Sequence, residues 1–123
     1  MVDDLKMNKF DLVRFTDNDF ELDVRADSEN ETVWLTQEEI AFLFDSARST
    51  VTYHINNIFS SKELKENTSV EKFDGRVNYR PAKLYNLDVI LSIGYRIKSK
   101  RGIAFRRRAN KSFQTRLLSQ SLF

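Results

Sequence analysis

The sequence predicts an α+β fold in a single domain, and three observations predict it. Residues 10–24 and 32–35 carry apolar residues in near alternation or as a β-branched and aromatic run, which is strand patterning. The period then changes, and from Ile40 to Phe59 the apolar residues recur at helical spacing. An Asp-Gly pair at 74–75 sits between two further strand-like runs, the strongest short-range hairpin signal a sequence offers. The 123 residues suit one domain, 1–123. Within it the expected parts are a hairpin and strand over 10–35, paired helices over 36–59, a second hairpin over 70–80 and two more helices over 86–118.

Taken in order, FDLVRF and FELDV form the first hairpin, with Thr16-Asp17-Asn18-Asp19 as turn chemistry between them. Ala26 to Asn30 reads as a polar loop, and Thr32 to Leu35 as a third strand with Trp34 in the core. Thr36 is a good N-cap, and Glu39 three residues on completes the spacing of a capping box. Ile40, Leu43 and Phe44 then share one helical face, and Asp45-Ser46 interrupts. A second helix from about Arg48 to Phe59 turns Val51, Ile55, Ile58 and Phe59 inward. Ser60 to Ser69 reads as irregular, with one turn at Lys62 to Leu64. The Asp74-Gly75 hairpin follows, ended by Pro81. Asn86 caps the next helix, with Asp88 in its first turn and Leu87, Ile90, Leu91, Gly94 and Ile97 on its inner face. Gly102 marks a break or kink. A last helix from about Ile103 turns Phe105, Ala109 and Phe113 inward and Arg106, Arg107, Arg108 and Lys111 outward.

Composition narrows the chemistry. The chain has no cysteine, which excludes disulfides and thiolate metal sites, and His54 stands alone without a cluster to make a zinc site. No metal site and no cofactor is expected. Three glycines, at 75, 94 and 102, cannot make a phosphate-cradling loop, and there is neither a serine elbow nor a helical His pair for a metal. The expectation is therefore a protein that is not an enzyme and has no catalytic residue. No apolar run approaches a membrane span, and the start MVDDLKMNKF lacks a basic-then-apolar signal pattern, so a cytoplasmic protein without a membrane partner is expected. The net charge of +2 hides an asymmetry. Residues 1–75 hold 8 Lys/Arg and 17 Asp/Glu, whereas residues 76–123 hold 12 Lys/Arg and one acid, Asp88. A basic half is the footprint expected for a polyanion partner, and pairing with the acidic half of the same chain is the bland alternative.

The stretch from Gln37 to Ile55 carries the spacing of a helix-turn-helix. Ala41 is small where two helix backbones must approach, Asp45 stands where the turn needs a positive φ, and Val51 is the apolar anchor of the second helix. That helix then offers Arg48, Ser49, Thr50, Thr52, Tyr53 and Asn56. Arginine and asparagine suit base edges in the major groove, and hydroxyls suit phosphates. The hairpin that follows would act as a wing, with Arg76, Arg80 and Lys83 on or just past it. The fold expected is thus a winged helix-turn-helix-like domain with an N-terminal β-hairpin and two C-terminal helices. Its expected partner is double-stranded DNA, bound by a homodimer. The competing reading of the same pattern is an αα-hairpin that only packs, with His54 as a packing residue and Tyr53 either partly buried or a contact.

Four stretches, ETVWLTQEEIAFLF, STVTYHINNIF, LYNLDVILSIGYRIKSKRG and AFRRRAN, resemble the RhuM family of virulence-associated bacterial proteins over about residues 20–110. YNLDVILSIGYRIKS is the specific part. The chain also looks distantly similar to the N-terminal domains of phage antirepressor-type proteins. The resemblance implies a bacterial, cytoplasmic, DNA-binding regulator of virulence or mobile-element genes. The chain departs from the family pattern at Arg108, where a Trp is usual, and family members usually continue further. A truncated or divergent member with a weakened terminal helix is the expectation, with Phe113, Leu117, Leu118, Leu122 and Phe123 available to pair with another copy. Two other functions fit the residues: a protein-interaction module, such as an effector- or toxin-associated adaptor, and an enzyme subdomain separated from its catalytic half.

Overall fold

A computed structural model describes residues 10–77 and 80–109 of the chain. The elements run β1 (Asp11–Asp17), β2 (Phe20–Asp27), β3 (Thr32–Thr36), α1 (Gln37–Leu43), α2 (Arg48–Ser60), α3 (Glu66–Ser69), β4 (Val70–Val77), β5 (Arg80–Asn86) and α4 (Leu87–Ile97), followed by a helix α5 over 100–109. The fold is α+β, as expected. All strands join one antiparallel sheet in the order β1-β2-β3-β5-β4. The stretch Phe113 to Phe123, expected to mediate self-association, lies outside the described residues.

A two-residue turn sets the register of the first hairpin. Asp17 stands across from Phe20, and Asn18 between them takes φ 56°, a left-handed conformation that asparagine tolerates. That register puts Phe15 and Val24 on the core face. Arg14 falls on the opposite face, 3.0 Å from Asp23 and 3.6 Å from Glu21, and these two carboxylates raise its pKa. Asp23 leads as hydrogen-bond acceptor. The third strand begins at Thr32 as expected, but the second runs further than expected, because the expected loop from Ala26 is in part strand. Ala26 and Asp27 belong to β2 and are buried, and Asp27 stands across from Thr32. The Asp27 carboxylate accepts from Trp34 Nε1 at 3.0 Å, Asn30 Nδ2 at 2.8 Å and the Asn30 backbone N–H at 3.1 Å. A buried carboxylate is tolerated here because three donors replace its water.

The capping box forms in full. Thr36 Oγ1 accepts from the Glu39 amide, and Glu39 Oε1 accepts from the Thr36 amide at 2.7 Å. The same Glu39 oxygen takes Arg25 Nη1 at 2.7 Å, which ties α1 to β2. At the other end of α1, the Asp45 amide donates to Phe42 O and the Ser46 amide to Ala41 O, with Asp45 at φ 50°. This is the Schellman arrangement, with aspartate in the position glycine usually fills. α2 ends the same way: Lys62 takes φ 62°, its amide donates to Phe59 O, and the Glu63 amide donates to Ile58 O. The expected turn at Lys62 to Leu64 is this cap, and the short helix comes later, at α3.

Three expectations in the basic half are corrected. The second hairpin does not reverse at Asp74-Gly75. The pairing runs out to Val77 across from Arg80, and Asp74-Gly75 sits inside β4 in a register shift between Phe73 and Arg76. A bulge uses the same residue types as a turn, and this one faces Pro81, which has no N–H to give the ladder. Pro81 therefore lies within β5 instead of ending it, outside the Leu84–Asn86 segment that β3 also pairs. On α4 the expected Leu87, Ile90 and Gly94 are buried, Leu91 and Ile97 are half-buried, and Val89 and Ile93 join the buried face. Gly102 neither breaks nor kinks a helix. The break falls at Lys98, at φ 60°, and Gly102 lies inside α5, where a Cβ would come 3.2 Å from Phe44 Cε1. On α4, a Cβ at Gly94 would meet Phe44 Cζ at 2.8 Å. The two glycines flank the Phe44 ring.

Phe105 and Ala109 are buried on α5 as expected, and the Phe105 ring meets Phe15 edge-on at 5.0 Å. Arg108 is exposed yet reaches back to β1. Its guanidinium lies 5.8 Å from the Phe15 ring and donates to Thr16 O at 3.4 Å, so Arg108 packs on this aromatic.

Replacing Asp27 with Ala strips Trp34 and Asn30 of their acceptor. Urea unfolding is expected to register a loss of about 1–3 kcal/mol, the cost of buried donors left unsatisfied. Asp27→Asn, which keeps one acceptor, is expected to lose less.

Candidate nucleic-acid interface

α2 is positioned from its inner side. Val51, Ile55 and Ile58 are buried in the core, and α2 packs against both α1 and α4. With those three residues inward, helical geometry sends Ser49, Tyr53, Asn56 and Ser60 straight outward in one stripe, and all four are exposed. Tyr53 is 63% exposed, so it is a surface aromatic. Thr50 is half-buried on one flank of the stripe. Arg48 and Thr52 are exposed on the other flank, beside α1. No aspartate or glutamate occurs anywhere in α2. Its N-cap is Ala47, which makes no side-chain cap, so no carboxylate or hydroxyl of the cap competes for the first amides.

Two residues at the start of α1 belong to this surface and were invisible in the local pattern. Gln37 Nε2 donates to Thr52 Oγ1 and to Arg48 O, and Thr52 Oγ1 itself donates to Arg48 O at 3.0 Å. Glu38 pairs with Arg48 at 3.5 Å. These contacts hold the first turn of α2 against α1. Thr52 is therefore engaged within the molecule, and Arg48 has a carboxylate to leave before it meets anything else. Only the folded crossing of α1 and α2, fixed by half-buried Ala41 and the turn at Asp45, reveals them.

His54 is half-buried, with its Nδ1 buried and unpaired, and its ring meets Tyr53 edge-on at 5.4 Å. This is a packing environment, in line with the reading of a packed histidine. Among the described residues, no group of three or more His, Asp or Glu side chains is placed to hold a metal ion, and no helix is long and apolar enough to cross a membrane.

The hairpin β4–β5 joins the sheet through β5, which pairs with β3. Lys83 is exposed on it. Arg76 and Arg80 flank the reversal by their strand positions, and their side chains lie outside the described part. Tyr85 links the hairpin to the helices. Burial pushes its phenol pKa up, the Glu66 carboxylate pushes it further, and the positive charge of Arg48 opposes them.

The class defined by this geometry is an α+β domain in which a helix with an acid-free polar face packs on α1 and α4, and a β-hairpin joins the sheet through β5. Residues 62–119 match the sequence model of the Virulence protein RhuM family, so that stretch is similar to this family. The match takes in β4, β5, α4 and α5 and leaves out α1 and α2, so it is narrower at the N-terminal side than the resemblance read from the residues. No curated protein and no solved structure matches the chain.

The turn at Asp45 carries a left-handed residue other than glycine. Asp45→Gly is expected to raise the thermal stability by about 1 kcal/mol, and Asp45→Val to lower it by at least as much, because a β-branched side chain is excluded from that conformation. Thermal unfolding followed by circular dichroism measures both.

Proposed function

We propose that this domain binds double-stranded DNA in the manner of a winged helix-turn-helix, with α2 in the major groove and β4–β5 as the wing, as a homodimer that regulates virulence or mobile-element genes. The observation that carries this reading is the exposed stripe Ser49, Tyr53, Asn56 and Ser60 on a helix without a single acid. Topology supports it. A strand, two helices and a hairpin follow in that order, with the first strand pairing to the hairpin's second strand, which is how a wing comes to lie beside a recognition helix. Asn56 has the amide to read an adenine edge and Arg48 the fork to read guanine, while Ser49 and the uncapped amides of α2 meet phosphate. Arg76, Arg80 and Lys83 act on the backbone from the wing, and Thr50 and Thr52 support the helix from its flanks. No step of this function calls for catalysis. The family's name adds a virulence-associated role as the setting.

Fluorescence anisotropy with random and selected duplexes tests the reading. Affinity is expected to fall as salt rises, with a slope near −0.9 per phosphate neutralised. Asn56→Ala is expected to cost about 1–3 kcal/mol on a selected site and to relax its sequence preference. Lys83→Ala weakens all duplexes alike and flattens the salt slope by about one. Glu38→Gln, which releases Arg48 from its exposed ion pair, is expected to tighten binding about 2- to 5-fold, matching the worth of such a pair. Absence of binding at low salt sinks the proposal and favours the protein-interaction reading.

A further inference from the structure

A second surface lies away from α2 and the hairpin. Two adjoining cavities of about 430 and 450 Å³ share Leu91, Tyr95 and Arg106 and run along the seam between α4 and α5. Their floor is apolar. The Phe44 ring forms part of it, seated between Gly94 and Gly102, and Leu91 and Ile103 line the walls. Tyr95 and Ile103 are 75% and 58% exposed, an unusual investment for large apolar side chains on neighbouring helices.

The charged rim is mostly basic. Glu63 is the single acid among the residues that line these cavities, and it is taken. It accepts from Ser92 Oγ at 2.5 Å and pairs with Arg96 at 2.5 Å. The hydrogen bond from Ser92, with that from Arg96 and its charge, keeps the Glu63 carboxyl below its ordinary pKa, so it stays ionised and matched to Arg96. Lys98 and Arg106 remain, and among the described residues neither meets a carboxylate. Arg106 instead lies 5.9 Å from the Tyr95 ring. An apolar trough edged by two unmatched cations is complementary to a helix with apolar anchors on one face and acids beside them. Every lining residue except Phe44 falls within residues 62–119, the stretch that carries the family pattern.

We propose that the α4–α5 groove docks an acidic amphipathic helix of a partner protein, with Tyr95 and Ile103 gripping its apolar face and Lys98 and Arg106 its carboxylates. None of these residues lies on α2 or the hairpin, so the two surfaces can be occupied together and fail separately.

The test uses a labelled, designed peptide of about 16 residues with leucines at i, i+3, i+4 and i+7 and glutamates elsewhere, and a twin with lysine for each glutamate. Anisotropy with the full chain is expected to detect the acidic peptide and not its twin. Ile103→Glu and Arg106→Glu are each expected to weaken binding at least tenfold. Arg107→Glu, an exposed change just off the groove, is expected to have little effect. The altered side chains are exposed, and unchanged circular dichroism melts confirm that each variant folds. Equal binding of both peptides, equal effects of Arg106→Glu and Arg107→Glu, or no binding of the acidic peptide would each overturn the proposal. Sedimentation that finds self-association lost in the groove variants would give the site to a second copy and overturn it too. DNA binding of Ile103→Glu, measured alongside, is expected to match that of the unaltered chain.

Discussion

The seat of one aromatic ring organises this molecule. Phe44 is the C-cap residue of α1, and its ring enters between α4 and α5 at the two places where those helices have no side chain. A Cβ at Gly94 would collide with it, and one at Gly102 would crowd it. That contact joins the α1–α2 turn to the C-terminal helix pair. Arg101 locks the same junction from outside. Its guanidinium donates to the last carbonyls of α1, Phe42 O at 3.4 Å and Leu43 O at 2.9 Å, and lies 3.9 Å from the Phe20 ring of β2. A cation at a helix C-terminus is also favourable for the helix dipole. With α1 held at its end, α2 has one place to pack, and its polar stripe has one direction to face.

Charge follows the same division of labour. Several acids of the first half are engaged within the fold. Glu21 and Asp23 hold Arg14, Glu39 holds Arg25 and caps α1, and Asp27 holds Trp34. The basic half has almost no acid of its own, so Arg106 and Lys98 stay at the surface. Exposed pairs such as Arg14 with Asp23 contribute little to stability. Charge stays divided all the same: residues 11–27 hold six acids against Arg14 and Arg25, so the β1–β2 end of the sheet is negative and the positive field belongs to the C-terminal helices.

Much of the fold was legible because local rules and tertiary context agree. Thr36 with Glu39, Asn18 in the first turn, Asn86 before α4 and Asp45 between α1 and α2 each do what their residue types announce. The misreadings came where one residue type serves two structures. Asp74-Gly75 is turn chemistry and bulge chemistry alike, and the choice depended on how β5 paired with both neighbours. Gly102 was read as a helix breaker because the sequence could not display Phe44 beside it. Asp27 looked like loop until Trp34 and Asn30 were found donating to it. On the candidate surface, periodicity gave the outward stripe of α2. Gln37 and Glu38 were missed because their link to Thr52 and Arg48 exists only after α1 and α2 cross.

The central claim is that the acid-free stripe of α2, held outward by the Phe44 seat, is the surface that meets a nucleic-acid duplex. Backbone amide NMR during titration with a short duplex examines it residue by residue. The account predicts the largest shifts at Ser49, Tyr53 and Asn56, with smaller ones along the hairpin and none at the buried face of α4. Shifts that cluster on α4 and α5 while α2 stays unmoved would contradict it.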